Sequence, residues 1–349
     1  MNHIRRREFF KKTGLAWIAS GFSFPSMAFN GMTETGPTQR KAPRLISGAT
    51  VALIAPSSPP SEEKLAKAIA NLTALGFNIR EGKSLRTRHG HLAGTDAERL
   101  SDLHEAFQDP SIDAIWCVRG GYGASRLLPQ IDYELIRKHP KLLIGYSDVT
   151  ALHLAIHART GLVTIHGPVA ASDFPENTLQ HFRAIVMDGV ERHVVAAPTQ
   201  DFAGDEYTPF TISPGQATGQ LTGGNLALLS ALAGTPFAPV FRKKIVFIED
   251  VGEQPYRIDR MLTQLLQATD LSKAAGIALG VFNDCQPKPD SPSLSLADTL
   301  RDRLGGLGIP VVYGIPFGHV NDQATLPYGI PATLDATAQV LTILASAVR

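Results

Sequence analysis

The run Leu142-Leu143-Ile144-Gly145-Tyr146-Ser147-Asp148-Val149-Thr150-Ala151-Leu152 decides how this 349-residue chain folds. Three consecutive apolar residues read as a strand buried on both faces, the pattern of a parallel sheet. Gly145 ends the strand, and a helix follows from about Thr150 to Ala158. The same grammar occurs twice upstream. Residues 49–55 form an apolar run that ends at Pro56-Ser57-Ser58-Pro59-Pro60, and Ala114 to Val118 enters the turn Arg119-Gly120-Gly121-Tyr122-Gly123. Between them, Leu65, Ile69 and Leu72 give helical spacing over 61–75, with Ser61 as N-cap and Gly76 as stop. A second amphipathic helix spans 95–107, where Thr95 and Glu98 make a capping box. Strands alternating with helices predict an α/β domain over 44–171 with a doubly wound parallel sheet.

Downstream the texture changes. Pro175, Pro198, Pro209 and Pro214 punctuate residues 172–217, which read as a domain connection. A second α/β domain is expected over 218–349. It contains Gly223-Gly224-Asn225, a helix to Leu232, a strand Lys244–Ile248 and a helix Ile258–Ala268. Strands Gly276–Phe282 and Val311–Tyr313 follow, and Ala332–Leu344 reads as one strand with an exposed face.

Composition excludes several classes. The net charge is +1 and charged residues make up 19%, so nothing points to nucleic acid. The two cysteines, Cys117 and Cys285, follow or lie in apolar runs and read as buried free thiols, with a single bridge between them the alternative in an oxidising compartment; they form no metal-type cluster. No metal and no cofactor is expected. The N-terminus opens Arg5-Arg6-Arg7-Glu8-Phe9-Phe10-Lys11, continues through an apolar stretch and reaches Ser26-Met27-Ala28. This resembles a twin-arginine export signal over 1–28, with a lead-in over 29–43 and a periplasmic destination. The apolar stretch is too short and interrupted for a stable membrane span.

The strand–turn–helix around Ser147 has the layout of a nucleophile elbow, which exposes the Ser hydroxyl and aims the next backbone N–H, that of Asp148, at an attacked carbonyl oxygen. Val149 stands where the elbow pattern has a second Gly, and Ser147 is equally suited to cap the helix. A serine nucleophile needs a base. Among eleven histidines, His319 follows a strand in the turn Pro316-Phe317-Gly318-His319-Val320-Asn321-Asp322, and His166 follows another in Thr164-Ile165-His166-Gly167-Pro168. Both are candidates. Glu249 is the first polar residue after Val246-Phe247-Ile248 and is a candidate orienting acid. The Gly120-Gly121 turn can present N–H groups to an oxyanion. It lacks the Lys-Ser/Thr of a phosphate loop. Arg119, Tyr122, His166 and Asn225 are candidate substrate contacts.

These motifs, in this order, resemble the LD-carboxypeptidases, a family that includes microcin immunity peptidases. The resemblance runs over about 44–335 through Ala55-Pro56-Ser57-Ser58, Arg119–Gly123, Gly145–Leu152, His166-Gly167-Pro168, Gly223–Leu226, Ile248–Glu253 and Gly318-His319. It implies Ser147 as nucleophile, Glu249 as acid and His319 as base, with oxyanion N–H groups from Asp148 and from Gly120 or Gly121. It implies a flavodoxin-like first domain, a second with barrel-like character and a propensity to form homodimers. The implied reaction removes a terminal D-alanine from a muropeptide. A related hydrolase of peptidyl-nucleotides and a non-catalytic two-lobed binding protein are the alternatives.

Overall fold

The computed structural model describes residues 38–198, 207–289 and 292–349. Residues 1–28, read above as an export signal, lie outside the described residues. The first lobe contains β1 (Thr50–Ile54), α1 (Glu62–Ala74), β2 (Asn78–Glu81), α2 (Asp96–Gln108), β3 (Ala114–Cys117), α3 (Tyr133–Lys138), β4 (Leu142–Gly145), α4 (Thr150–Thr160) and β5 (Ile165–His166). Strands β1, β3 and β4 are buried almost throughout, as their unbroken apolar runs predict. Strand β2 is polar and sits at the sheet edge beside β1, so it carries no apolar period to read. The capping box of α2 forms as expected: Thr95 Oγ1 accepts from Glu98 N–H and Glu98 Oε2 accepts from Thr95 N–H at 2.7 Å.

The connection is structured. It holds α5 (Glu176–Phe182), a π-helical turn, β6 (His193–Ala196) and β7 (Phe210–Ser213). Phe182 anchors it to the first lobe, stacking at 4.7 Å on the fully buried Trp116, whose Nε1 donates to Pro168 O at 2.7 Å. Composition alone hid this, because the contact spans 66 positions of sequence.

The second lobe follows with β8 (Gln216–Asn225), α6 (Leu226–Leu232), β9 (Lys244–Val251), α7 (Pro255–Ala268), β10 (Gly276–Asn283), α8 (Leu296–Leu304) and β11 (Val311–Gly318), then β12 (Leu326–Pro327), β13 (Pro331–Asp335) and β14 (Val340–Ile343). Helix α7 buries Ile258, Met261, Leu262 and Leu265, a stripe at helical spacing. The expected single strand over 332–344 is instead a hairpin of β13 and β14, turned at Gln339, which has a φ of +58°.

The first sheet runs β12-β5-β4-β3-β1-β2 and is parallel except for β12. The second runs β6-β14-β13-β8-β9-β10-β11-β7, with β8 to β11 parallel and antiparallel strands flanking them. Strand β12, late in the chain, completes the first sheet beside β5. At Gly224 a Cβ would fall 2.5 Å from the Thr150 side chain, so only glycine lets β8 approach α4 this closely. The Asn225 N–H then donates to Thr150 Oγ1 at 3.1 Å. These contacts bring the C-terminal ends of both parallel sheets together, where ligands bind in open α/β folds. Cys117 and Cys285 are free and buried.

Candidate active site

Ser147 sits between β4 and α4 with a φ of +63°, a left-handed conformation that costs a non-glycine residue on the order of 1 kcal/mol. Such strain is the mark of an elbow. The helix-cap reading is removed, because α4 begins from Val149 with no side-chain cap. Asp148 binds the three strand-end turns to one another. Its Oδ2 accepts from Ser57 Oγ at 2.5 Å and from Ala124 N–H at 2.8 Å. Burial raises its carboxyl above the ordinary range, against these hydrogen bonds.

The glycine turn lies directly against the serine. A Cβ on Gly120 would stand 2.9 Å from Ser147 Cβ, 3.0 Å from its Oγ and 3.3 Å from Asp148 N. Gly121, at a φ of +124°, gives the same clearance to Ser58. The backbone of Gly120 therefore flanks the hydroxyl and the Asp148 N–H. Arg119 braces this turn, donating from Nε to Gly120 O and from Nη1 to Pro59 O, with no carboxylate partner among the described residues. Tyr122 is exposed, and its ring lies 5.5 Å from that of His91.

Glu249 and His319 come from the ends of β9 and β11, which flank β10. The register of β10 shifts after Leu279, and Gly280 leaves space for the Phe317 carbonyl, 2.5 Å from where a Cβ would be. Gly318, at a φ of +104°, would place a Cβ 2.8 Å from Glu249 Oε2, so its bare backbone lets His319 fold back onto the acid. Glu249 Oε2 accepts from His319 Nδ1–H at 2.6 Å, and Glu249 is fully buried. Burial pushes the Glu249 carboxyl up, but the charge and hydrogen bond of His319 outweigh it and hold the group below its usual value. Burial likewise lowers His319, and Glu249 outweighs it, so the imidazole is raised. The two shifts agree on an ion-pair-favouring couple. Tyr146, next to Ser147, meets His319 edge-on at 4.8 Å and brings the couple to the serine's side of the cleft. Asp250 next door is pushed up to about 7 by burial and by Glu249.

The structure buries two of the expected substrate contacts. His166 is fully buried beneath Tyr146, 5.9 Å between ring centres, and does not line the cleft. Asn225 caps α6 by accepting from Leu228 N–H and donates to Asp250 Oδ1 at 3.0 Å. A cavity of about 690 Å³ was not anticipated. It opens beside His319 and is lined by Asn177, His181, Tyr207, Asn283 and Asp322 among others. Asn177 and His181 belong to the stretch read as connection, whose composition gave no sign of a site.

Comparison with known proteins agrees with this architecture. Residues 51–167 match the LD-carboxypeptidase N-terminal domain and residues 218–334 its C-terminal domain. A Bacillus subtilis protein described as a probable murein peptide carboxypeptidase is 43% identical over 310 residues, covering 87% of this chain and 94% of its own. The muramoyltetrapeptide carboxypeptidase of Oxalobacter formigenes superposes with a TM-score of 0.75 at 32% identity, over 85% of this chain and 99% of that one. The MccF protein in complex with glutamyl sulfamoyl guanosine superposes with a TM-score of 0.79 at 26% identity, over 88% and 99%. With both domains matched in order around the serine turn and the Glu249–His319 pair, the chain belongs to the LD-carboxypeptidase family.

Proposed function

We propose that this serine-type carboxypeptidase removes the terminal D-alanine from muropeptide tetrapeptides, using Ser147, His319 and Glu249. The observation that carries the triad is the 2.6 Å bond from His319 Nδ1 to the buried Glu249. With Nδ1 committed, Nε2 keeps the lone pair that takes the Ser147 proton. The Ser147 oxygen attacks the scissile carbonyl, and charge moves to the carbonyl oxygen. The N–H of Asp148 and the Gly120-Gly121 backbone receive that charge. On collapse, His319 gives its proton to the leaving amine of D-alanine. Water then attacks the acyl-enzyme, with His319 again as base, and restores Ser147.

Arg119 offers its guanidinium, free of any described carboxylate, to the terminal carboxylate of the substrate. The cavity beside His319 takes the peptide stem. Mass spectrometry of muropeptides incubated with the protein tests the substrate: loss of one alanine from tetrapeptides is expected, and no loss counts against it.

One observation favours a second reading, hydrolysis of peptidyl-nucleotides. The exposed Tyr122 and its neighbour His91 lie just past the glycine turn, where an aromatic pair is able to stack a base. Faster cleavage of an aminoacyl sulfamoyl nucleoside than of a tetrapeptide is the outcome that selects it. The twin-arginine-like leader places the mature enzyme in the periplasm on our reading; a reporter fused to the full chain should stay cytoplasmic in cells lacking that translocase.

A further inference from the structure

Buried polar atoms without a hydrogen-bond partner gather behind Glu249, at the seam between the lobes. Among the described residues they include Glu249 Oε1, both ring nitrogens of His166, Thr164 Oγ1 and His153 Nδ1. Ring contacts tie the two histidines to Phe247, which lies two residues before Glu249. His166 lies 5.2 Å from Phe247 and 5.9 Å from Tyr146. Phe247 meets Tyr328 at 5.2 Å, and Tyr328 stacks on His153 at 5.0 Å. Phe247 is two residues before Glu249 on β9 and so shares its face. Tyr146 also packs against His319. His166 thus sits under both members of the acid–base couple.

A neutral imidazole carries one N–H and one lone pair in either tautomer. Neither has a partner here, and the His166 ring is walled by aromatic carbon. Glu249 spends Oε2 on His319 and keeps Oε1, a buried anionic oxygen, with no donor at hydrogen-bond distance; the neighbouring Asn225 amide, which helps to lower the Glu249 carboxyl, is spent on Asp250. An N–H with no acceptor and an oxygen with no donor, both buried at this seam, are the partners an ordered buried water needs.

We propose that His166 is a positioning residue: its ring N–H, relayed by one buried water, binds Glu249 Oε1 and holds the carboxylate so that Oε2 stays on His319. This rests on the triad reading. The waiting donor explains why a histidine, rather than an apolar residue, occupies a fully buried site in an aromatic wall.

The test uses the whole mature protein and tetrapeptide hydrolysis. His166→Phe should lower kcat about tenfold, the effect of one net hydrogen bond, with KM within about twofold. His166→Gln, which keeps an N–H, should recover most of that loss. In a Glu249→Gln background the His166→Phe effect should vanish, because the carboxylate it serves is gone. A His166→Phe protein with wild-type kcat overturns the proposal, as does an undiminished effect in the Glu249→Gln background. A high-resolution crystal structure of the wild type supplies an arm independent of variant folding. A water bridging His166 and Glu249 Oε1 is expected; side-chain carbon filling the space between them overturns it. Ser147→Ala activity judges the triad separately, so failure of that reading and failure of this one are distinguishable.

Discussion

On the serine side of the cleft, polar groups answer one another across neighbouring turns. Asp148 Oδ2 takes hydrogen bonds from Ser57 and from Ala124, and Gly120 rests against Ser147. On the other side, Glu249 and His319 arrive from strands 70 residues apart and bond through one 2.6 Å contact, with unpartnered atoms behind them. The serine turn is rigid by local design. The Glu249–His319 couple is held by long-range packing, and its geometry depends on glycines in strands of the second lobe. Changes on the two sides should therefore fail differently: steric and abrupt near Ser147, graded and pH-dependent near Glu249.

The largest effect is expected at Ser147, the proposed nucleophile. Ser147→Ala should lower kcat by roughly 10⁶, as in other serine triads, with little change in melting temperature. Glu249→Gln should cost on the order of 10⁴ in kcat. It should also move the acid limb of kcat/KM. On the proposed mechanism that limb reports deprotonation of His319 in the free enzyme. In the wild type its midpoint should lie above the ordinary histidine value, because Glu249 raises the imidazole against the effect of burial. Loss of the carboxylate charge leaves burial in command, so the midpoint should fall. A midpoint unmoved by Glu249→Gln would separate the two residues. Gly120→Ala should cost roughly 10² to 10³ in kcat, the scale of a lost oxyanion donor, since its Cβ would crowd Ser147 Oγ and the Asp148 N–H. Gly318→Ala should lower both activity and stability, because the new Cβ meets Glu249 at a positive φ.

A smaller effect concerns stability and pH. Burial lowers His153 to about 3 and His166 to about 4. The unfolded chain binds protons on these rings below about pH 6.5, while the folded chain does not. Their contribution is complete above that pH and is lost as pH falls toward 4, by up to about 1.4 kcal/mol per pH unit for each ring. The urea midpoint should fall accordingly, and less steeply in His166→Gln. A flat profile between pH 6.5 and 4 would contradict the neutral burial of both.

The contrast between the sides also governs what the sequence revealed. The serine turn is contiguous, so Gly145 to Thr150 betrays a strand, a tight turn and a helix in one reading. Glu249 and His319 were legible as polar residues ending apolar strands, but their partnership depends on Gly280 and Gly318, whose purpose appears only in three dimensions. His166 also ends a strand, and nothing in its neighbours tells which face it presents; it turned out buried. Asn225 looked like a cleft residue and is the cap of α6. Helix α5 and strand β6, which flank the cavity, were obscured by prolines and by a Phe182 anchor that lies far from Trp116 in sequence.

The most direct measurement is mass spectrometry of a muropeptide tetrapeptide incubated with the wild-type protein and, in parallel, with its Ser147→Ala variant. The account predicts conversion to the tripeptide by the first and an untouched tetrapeptide with the second. Equal release of alanine by both proteins would contradict it.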